Sequence, residues 1–263
     1  MYYSFDTSTI YGSTVTNLGS GGSAYNAEMV NGATINTTVM AKVVGSAALN
    51  LSSELSQFIR IPPLQTGNEG VSFAFWFRFS GGSFGGSLFD FGNGNQVYGL
   101  LFGLKYSGDI DASVLDGGAN TLGSRTSLFG ENVNDGVWRH AALTIDNSGN
   151  WVVYLNGTET NSFTSLCYPP FVTRSYNYLG KSNGGNSYMS GGIDEFYMFQ
   201  SVLSASQVLS LYTQGGKSRK DYRPTSIIFV LMVFSIACSS SRSYPSFYRY
   251  VREVGFTCRC HMF

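Results

Sequence analysis

Large apolar residues alternate with smaller or polar ones along Val71-Ser72-Phe73-Ala74-Phe75-Trp76-Phe77-Arg78-Phe79. A period of two places Val71, Phe73, Phe75, Phe77 and Phe79 on one face of an extended strand. Shorter stretches of the same kind predict strands at Leu49–Leu51, Gln57–Ile61, Ser87–Phe91, Tyr98–Lys105, Ile110–Leu115, Trp138–Ile145, Trp151–Leu155, Tyr176–Leu179 and Ile193–Phe199. Gly92-Asn93-Gly94-Asn95 and Asp146-Asn147-Ser148-Gly149 supply turn chemistry between them. Leu155-Asn156-Gly157-Thr158 predicts a tight hairpin, because a type I′ turn needs positive φ at both central residues. One helix is predicted near the end of this region. Ser204 suits the N-cap, Gln207 follows three residues later, and Leu203 and Val208 suit a hydrophobic staple. Val208, Leu209, Leu211 and Tyr212 keep helical spacing, and Gly215 is the expected stop. The pattern predicts an all-β fold, a two-sheet sandwich or jelly roll with one short C-terminal helix.

Composition narrows the picture. Charged residues are 12% of the 263 positions, about half the usual share, while Gly numbers 32 and Phe, Tyr and Trp number 20, 17 and 3. Such a mix excludes a coiled coil, a helical bundle or a disordered chain. The net charge of zero hides two unlike parts. Residues 1–216 hold 8 Lys+Arg against 14 Asp+Glu, and residues 217–263 hold 8 against 2. This predicts a domain over 1–216 and a basic tail over 217–263, with the boundary near Gly215-Gly216. The acidic body argues against nucleic acid as a partner, since phosphate binding needs clustered positive charge. Cys167 is the one cysteine of the body, so no internal disulfide staples it. In the tail, Cys258-Arg259-Cys260 beside His261 lacks the spacing of a zinc knuckle.

The tail also holds the most apolar run of the chain, 13 residues from Ser226 to Cys238. A membrane span wants about 20, with about 17 as a floor. Basic residues flank the run on both sides, so the positive-inside asymmetry is absent. A short anchor giving membrane association through 226–238, a non-native extension, and a packed element of the body all stay open. Met1 is followed at once by Tyr2-Tyr3-Ser4-Phe5-Asp6, with neither a basic n-region nor an apolar h-region. No signal peptide is therefore expected in this chain. An extracellular or membrane-associated location is favoured, but the sequence does not settle it.

Several segments, in order, resemble LamG-like jelly-roll domains of the concanavalin A-like lectin/glucanase superfamily. Tyr2-Tyr3-Ser4-Phe5-Asp6 is similar to that family's opening strand, and Gly45–Leu51 with Phe58-Ile59-Arg60-Ile61-Pro62 to its next conserved stretch. Val71–Arg78 and Val137-Trp138-Arg139-His140-Ala141-Ala142-Leu143 resemble its central strands. Trp151-Val152-Val153-Tyr154-Leu155-Asn156-Gly157 resembles its hairpin, and Tyr178-Leu179-Gly180, Gly192–Phe199 and Leu203-Ser204 resemble its close. The resemblance implies two antiparallel sheets, one of them concave. It also implies a module that binds carbohydrate or protein, with some hydrolases among its wider relatives.

Glycoside hydrolysis needs two facing carboxyl groups. Asp109 and Asp111 are the nearest pair, and Ser113 and Val114 stand where the resemblance would put a third acid. His140, the one histidine of the body, fits a hydrogen-bonded scaffold position better than a catalytic one. No Walker loop or dinucleotide fingerprint occurs. The resemblance also implies that the first and last strands lie side by side and hold a structural Ca2+, for which the matching residues are Asp6 and Asp194. If those strands pair, the ion would relieve repulsion between two carboxylates. The alternative is that Asp194 simply accepts hydrogen bonds from loop amides. Aromatics with nearby amides suit sugars. Trp76 and Trp138 nevertheless read as packing residues, and Arg78, Asp90, Tyr98 and Lys105 are candidates for a concave face whose orientation the pattern leaves open. Sequons stand at Asn36, Asn50 and Asn156. The expected function is a non-catalytic binding module for carbohydrate or protein surfaces. The alternatives are a glycoside hydrolase with an atypical carboxylate pair and a purely structural surface or coat domain.

Overall fold

The computed structural model describes residues 1–38, 42–66, 69–80, 86–94, 97–105, 107–117, 121–125, 128–164, 166–185 and 187–220, with backbone alone for 121–125 and 216–220. The apolar run 226–238 and the Cys258–Cys260 segment lie outside the described residues. Met1–Arg219 forms one compact unit.

Two antiparallel sheets make the body. The eight-stranded sheet runs Thr158–Phe163, Trp151–Leu155, Arg139–Ile145, Val71–Phe79, Gly191–Phe199, Ala48–Leu51 and Thr34–Asn36, with Tyr2–Tyr3 also paired to Gly191–Phe199. The nine-stranded sheet runs Thr121–Arg125, Ile110–Leu115, Leu100–Leu104, Ser87–Gly92, Tyr176–Leu179, Phe58–Ile61, Ala27–Val30, Thr14–Val15 and Ile10–Tyr11. A separate two-stranded ribbon joins Leu64–Thr66 to Val172–Arg174. The core forms where the facing sides of the two large sheets meet. Phe73 stacks on Phe89 with ring centroids 4.4 Å apart, and Phe75 meets Phe102 edge-on at 5.5 Å. Both are geometries that aromatic quadrupoles favour.

The Val71–Phe79 strand departs from simple one-sided burial. Val71, Phe73, Phe75, Phe77 and Phe79 enter the core as the period requires, yet Ala74 and Trp76 on the other face are buried as well. The cause is the C-terminal helix Ala205–Lys220, which lies over the outer face of the eight-stranded sheet. Val208 and Leu203 pack there against Ala74, Ala142 and Tyr154. The helix starts as its sequence predicts. The Ser204 N–H donates to Gln207 Oε1 at 2.8 Å, and the Gln207 N–H donates to Ser204 Oγ at 3.3 Å, a reciprocal capping box. The Asn156-Gly157 hairpin also forms, with φ of 51° and 79° at its two central residues.

Gly215 does not stop the helix, which continues to Lys220. Its role is clearance: a Cβ at Gly215 would lie 2.4 Å from Trp76 Nε1. The missing side chain lets the helix settle on Trp76. Among the described residues, no helix is long and apolar enough to cross a membrane.

Candidate functional site

The site grows from one irregularity in the Gly191–Phe199 strand. Its pairing with Val71–Phe79 shifts register between Asp194 and Tyr197. Glu195 sits there at φ 51°, a left-handed conformation uncommon for a non-glycine residue. The bulge re-aims side chains. Ile193, Phe196 and Met198 face the core, so Asp194, Glu195 and Tyr197 fall on the outer side. The register then sets Asp194, Trp76 and His140 in one row across the sheet. Tyr2–Tyr3 closes the edge, with Tyr2 opposite Tyr197 and Tyr3 opposite Phe196.

Asp6 and Asp194, the expected metal pair, grip the same short loop. Asp194 is fully buried, and its Oδ2 accepts the Val43 and Val44 N–H groups at 2.9 and 3.0 Å. Its Oδ1 has no partner. Asp6 Oδ1 accepts the Ser46 N–H, and the Ser46 hydroxyl at 3.0 Å. Gly45 sits between them at φ 62°, where a Cβ would fall 2.0 Å from Asp6 Oδ1, so only glycine fits the loop. Burial pushes the Asp194 carboxyl up to about 8; the loop amides oppose this, and the charges of Glu195 and Asp6 add to it. The amide bonds expected as the alternative are present, but they satisfy only one of the two oxygens.

Glu195 was not singled out by its sequence. The Tyr2 and Tyr197 hydroxyls both donate to its Oε2 at 2.7 Å, and their rings stack 4.2 Å apart and 7° from parallel. Burial raises the pKa of the Glu195 carboxyl and those two bonds lower it. Beside this group, under the helix, lies a cavity of about 260 Å³ lined by Tyr2, Asp6, Trp76, His140, Glu195 and Gln214, among others. Trp76 stacks on Tyr212 of the helix at 5.5 Å and meets the His140 ring edge-on at 5.4 Å.

His140 is almost fully buried, and its Nδ1 has no hydrogen-bond partner. The expected ring bond is missing at this nitrogen, and the backbone is tied down through the His140 N–H, which donates to Asn156 Oδ1 at 3.0 Å. Burial alone pushes the ring down to about 4, so it is neutral at pH 7. The expected packing roles of Trp76 and Trp138 agree with their burial.

Asp109 and Asp111 do not form a facing pair of acids. Asp109 is buried and accepts the Ile110 N–H at 2.6 Å and the Phe129 N–H at 3.3 Å. Asp111 is ion-paired with Lys105 at 3.0 Å. Arg78, Asp90, Tyr98 and Lys105 do not share one face either. Arg78 belongs to the eight-stranded sheet and lies 5.4 Å from the Trp138 ring, whereas Asp90 is buried in the nine-stranded sheet with Asn183 and Ser182. The nine-stranded sheet instead presents a row set by register, in which Asp90, Tyr178, Arg60 and Glu28 lie side by side. Arg60 pairs with Glu28 at 2.9 Å, and Lys181 Nζ lies 4.5 Å from the Tyr178 ring and 4.7 Å from that of Phe58. Among the described residues, no group of three or more His, Cys, Asp and Glu stands together as a metal-binding set.

Family and structural comparisons agree with this architecture. The family described as the concanavalin A-like lectin/glucanases superfamily matches residues 52–209, and the chain belongs to it. No curated protein matches the sequence. Solved structures are similar in fold. The binding domain of Paraclostridial Mosquitocidal Protein 1 has a TM-score of 0.59 at 17% identity, over 78% of this chain and 50% of that one. Domain 4 of AbnA, a GH43 extracellular arabinanase from Geobacillus stearothermophilus in complex with arabinotriose, has a TM-score of 0.58 at 20% identity, over 80% of this chain and 96% of that one. The botulinum neurotoxin serotype D ligand-binding domain in complex with N-acetylneuraminic acid has a TM-score of 0.57 at 16% identity, over 81% of this chain and 50% of that one. The chain therefore spans about half the length of the two toxin domains.

Proposed function

We propose that this chain is a non-catalytic binding module that recognises a glycan or a protein surface. The observation that carries the reading is the outer row of the nine-stranded sheet, where the exposed Arg60 and Glu28, with Lys181, lie beside the largely buried rings of Tyr178 and Phe58. Charged hydrogen-bonding groups held beside packed aromatic rings suit a polar ligand such as a sugar. The fold shared with a domain bound to arabinotriose, over nearly all of that domain's length, supports it. The separate engagements of Asp109 and Asp111 do not favour a hydrolase built on that pair. A glycan array probed with the full chain, followed by a reducing-sugar assay on each hit, tests the proposal. The expected result is retention on at least one glycan class, weakened by Tyr178→Ala, with no new reducing ends. Turnover lost in Asp109→Asn or Asp111→Asn would favour the hydrolase, and a blank array would leave a protein surface or a structural role.

A structural Ca2+ at Asp6 and Asp194 is a second proposal, carried by the unpartnered, buried Oδ1 of Asp194. A hard cation takes carboxylate and carbonyl oxygens, and these two carboxylates flank one loop. When bound, the ion would supply charge neutralisation and bridge the loop to the terminal strands. The protein's own part is to hold Val43–Ser46 against both acids. An ion held only by the folded state must raise the melting temperature. A melt in calcium above one in EDTA, with the difference abolished by Asp194→Asn, is expected; identical midpoints in calcium and EDTA would remove the ion from the account.

A further inference from the structure

The cavity under the C-terminal helix is separate from the glycan face, because it opens on the outer side of the eight-stranded sheet. Its chemistry is one-sided. Among the described residues that line it, Asp6 and Glu195 are carboxylates and none is Lys or Arg. The Tyr2 and Tyr197 hydroxyls, which could donate elsewhere, are spent on Glu195. The cavity therefore holds acceptors and negative charge and few free donors.

Aromatic groups complete the walls. Tyr2 stacks on Tyr197, and Trp76 stacks on Tyr212 of the helix. Such rings attract a cation over their faces, most strongly where water is excluded. At about 260 Å³ the cavity falls below the roughly 300–1,000 Å³ of drug-sized sites, so it fits one small group and not an oligosaccharide.

We propose that this cavity binds a small organic cation, an alkylammonium or a guanidinium, whose N–H donors meet Glu195 and Asp6 while its carbon skeleton lies against Tyr2, Tyr197 and Trp76. Glu195 is the principal anchor. Its unusual backbone conformation at the bulge turns the carboxylate to the outer side, and the paired tyrosines hold it there. The group arrives either as a free small cation or as a lysine or arginine side chain of a partner protein. The chemistry is the same in both cases.

The test uses the full chain in EDTA, so that Asp6 carries no metal. Ethylguanidinium and ethylammonium are titrated while the Trp76 indole N–H resonance is followed by NMR, with N-ethylurea as the neutral match for ethylguanidinium. The expected result is a saturable shift with the cations and none with the urea. Glu195→Gln keeps an acceptor for both tyrosines, and it should weaken the cations about tenfold or more, the loss of one charged hydrogen bond. Gln214→Lys, at an exposed helix position, places a tethered cation at the cavity and should also displace them. N-acetyl-arginine methylamide distinguishes the two sources: tighter binding than ethylguanidinium indicates a protein side chain, and equal binding a free cation. Equal binding of N-ethylurea, unchanged binding in both variants, or no shift with any probe would overturn the proposal. Failure here leaves the glycan reading untouched, since the array reports on the other sheet.

Discussion

At the scale of the residue, burial decides the behaviour of two ionisable groups, with opposite signs. His140 is held neutral by burial, with its pKa lowered from 6.5 to about 4. The unfolded chain binds the proton more readily in that window, so stability falls as pH drops from about 6.5 toward 4. Asp194 runs the other way, raised from 3.8 to about 8. Here the folded state holds the proton, so without a cation stability falls as pH rises from about 4 toward 8. Denaturant titrations in EDTA across this range should show Asp194→Asn removing the high-pH loss. His140→Phe should remove the low-pH loss. An Asp194→Asn curve parallel to the unmodified protein would refute the burial argument. Asp6 and Asp194 were legible as a pair because the family resemblance placed both beside the terminal strands. Glu195 and the orphaned His140 nitrogen were not, since their burial depends on a strand bulge and on a helix that docks from elsewhere in the chain.

Elements were legible where periodicity had room to show. Val71–Phe79, Ile110–Leu115, Trp151–Leu155 and Tyr176–Leu179 match their predicted bounds. Ile10–Tyr11 and Thr14–Val15 did not stand out, because two residues carry no period. Thr158–Phe163 is an edge strand made mostly of exposed polar residues, the composition that protects edges from stray pairing. It therefore lacks an apolar face to read. Two substitutions test how the elements are held. Ser204→Ala removes one half of the capping box and should cost about 1 kcal/mol, read as a lower melting midpoint. Gly191→Ala should cost about 3 kcal/mol or more, because φ is 147° there and a Cβ would lie 1.9 Å from the Arg78 carbonyl oxygen. A near-neutral Gly191→Ala would mean that the Gly191–Phe199 strand does not sit against Val71–Phe79 in this register.

For the whole molecule, two sheets close over a phenylalanine-rich core and leave two unlike outer faces. One carries exposed charged side chains beside largely buried aromatic rings, and the other is roofed by a helix above an acidic cavity. Two sheets were legible from alternation and turn chemistry, and the family resemblance narrowed them to an antiparallel jelly roll. Which face does what was not, because period two separates inside from outside without saying what covers the outside. The most direct measurement of the central claim is isothermal titration of the full chain with the strongest glycan from the array, with mass spectrometry of that glycan after prolonged incubation. The account predicts a saturable heat at a fixed stoichiometry and a ligand recovered intact. A cleaved ligand, or no heat with any glycan the array retains, would contradict it.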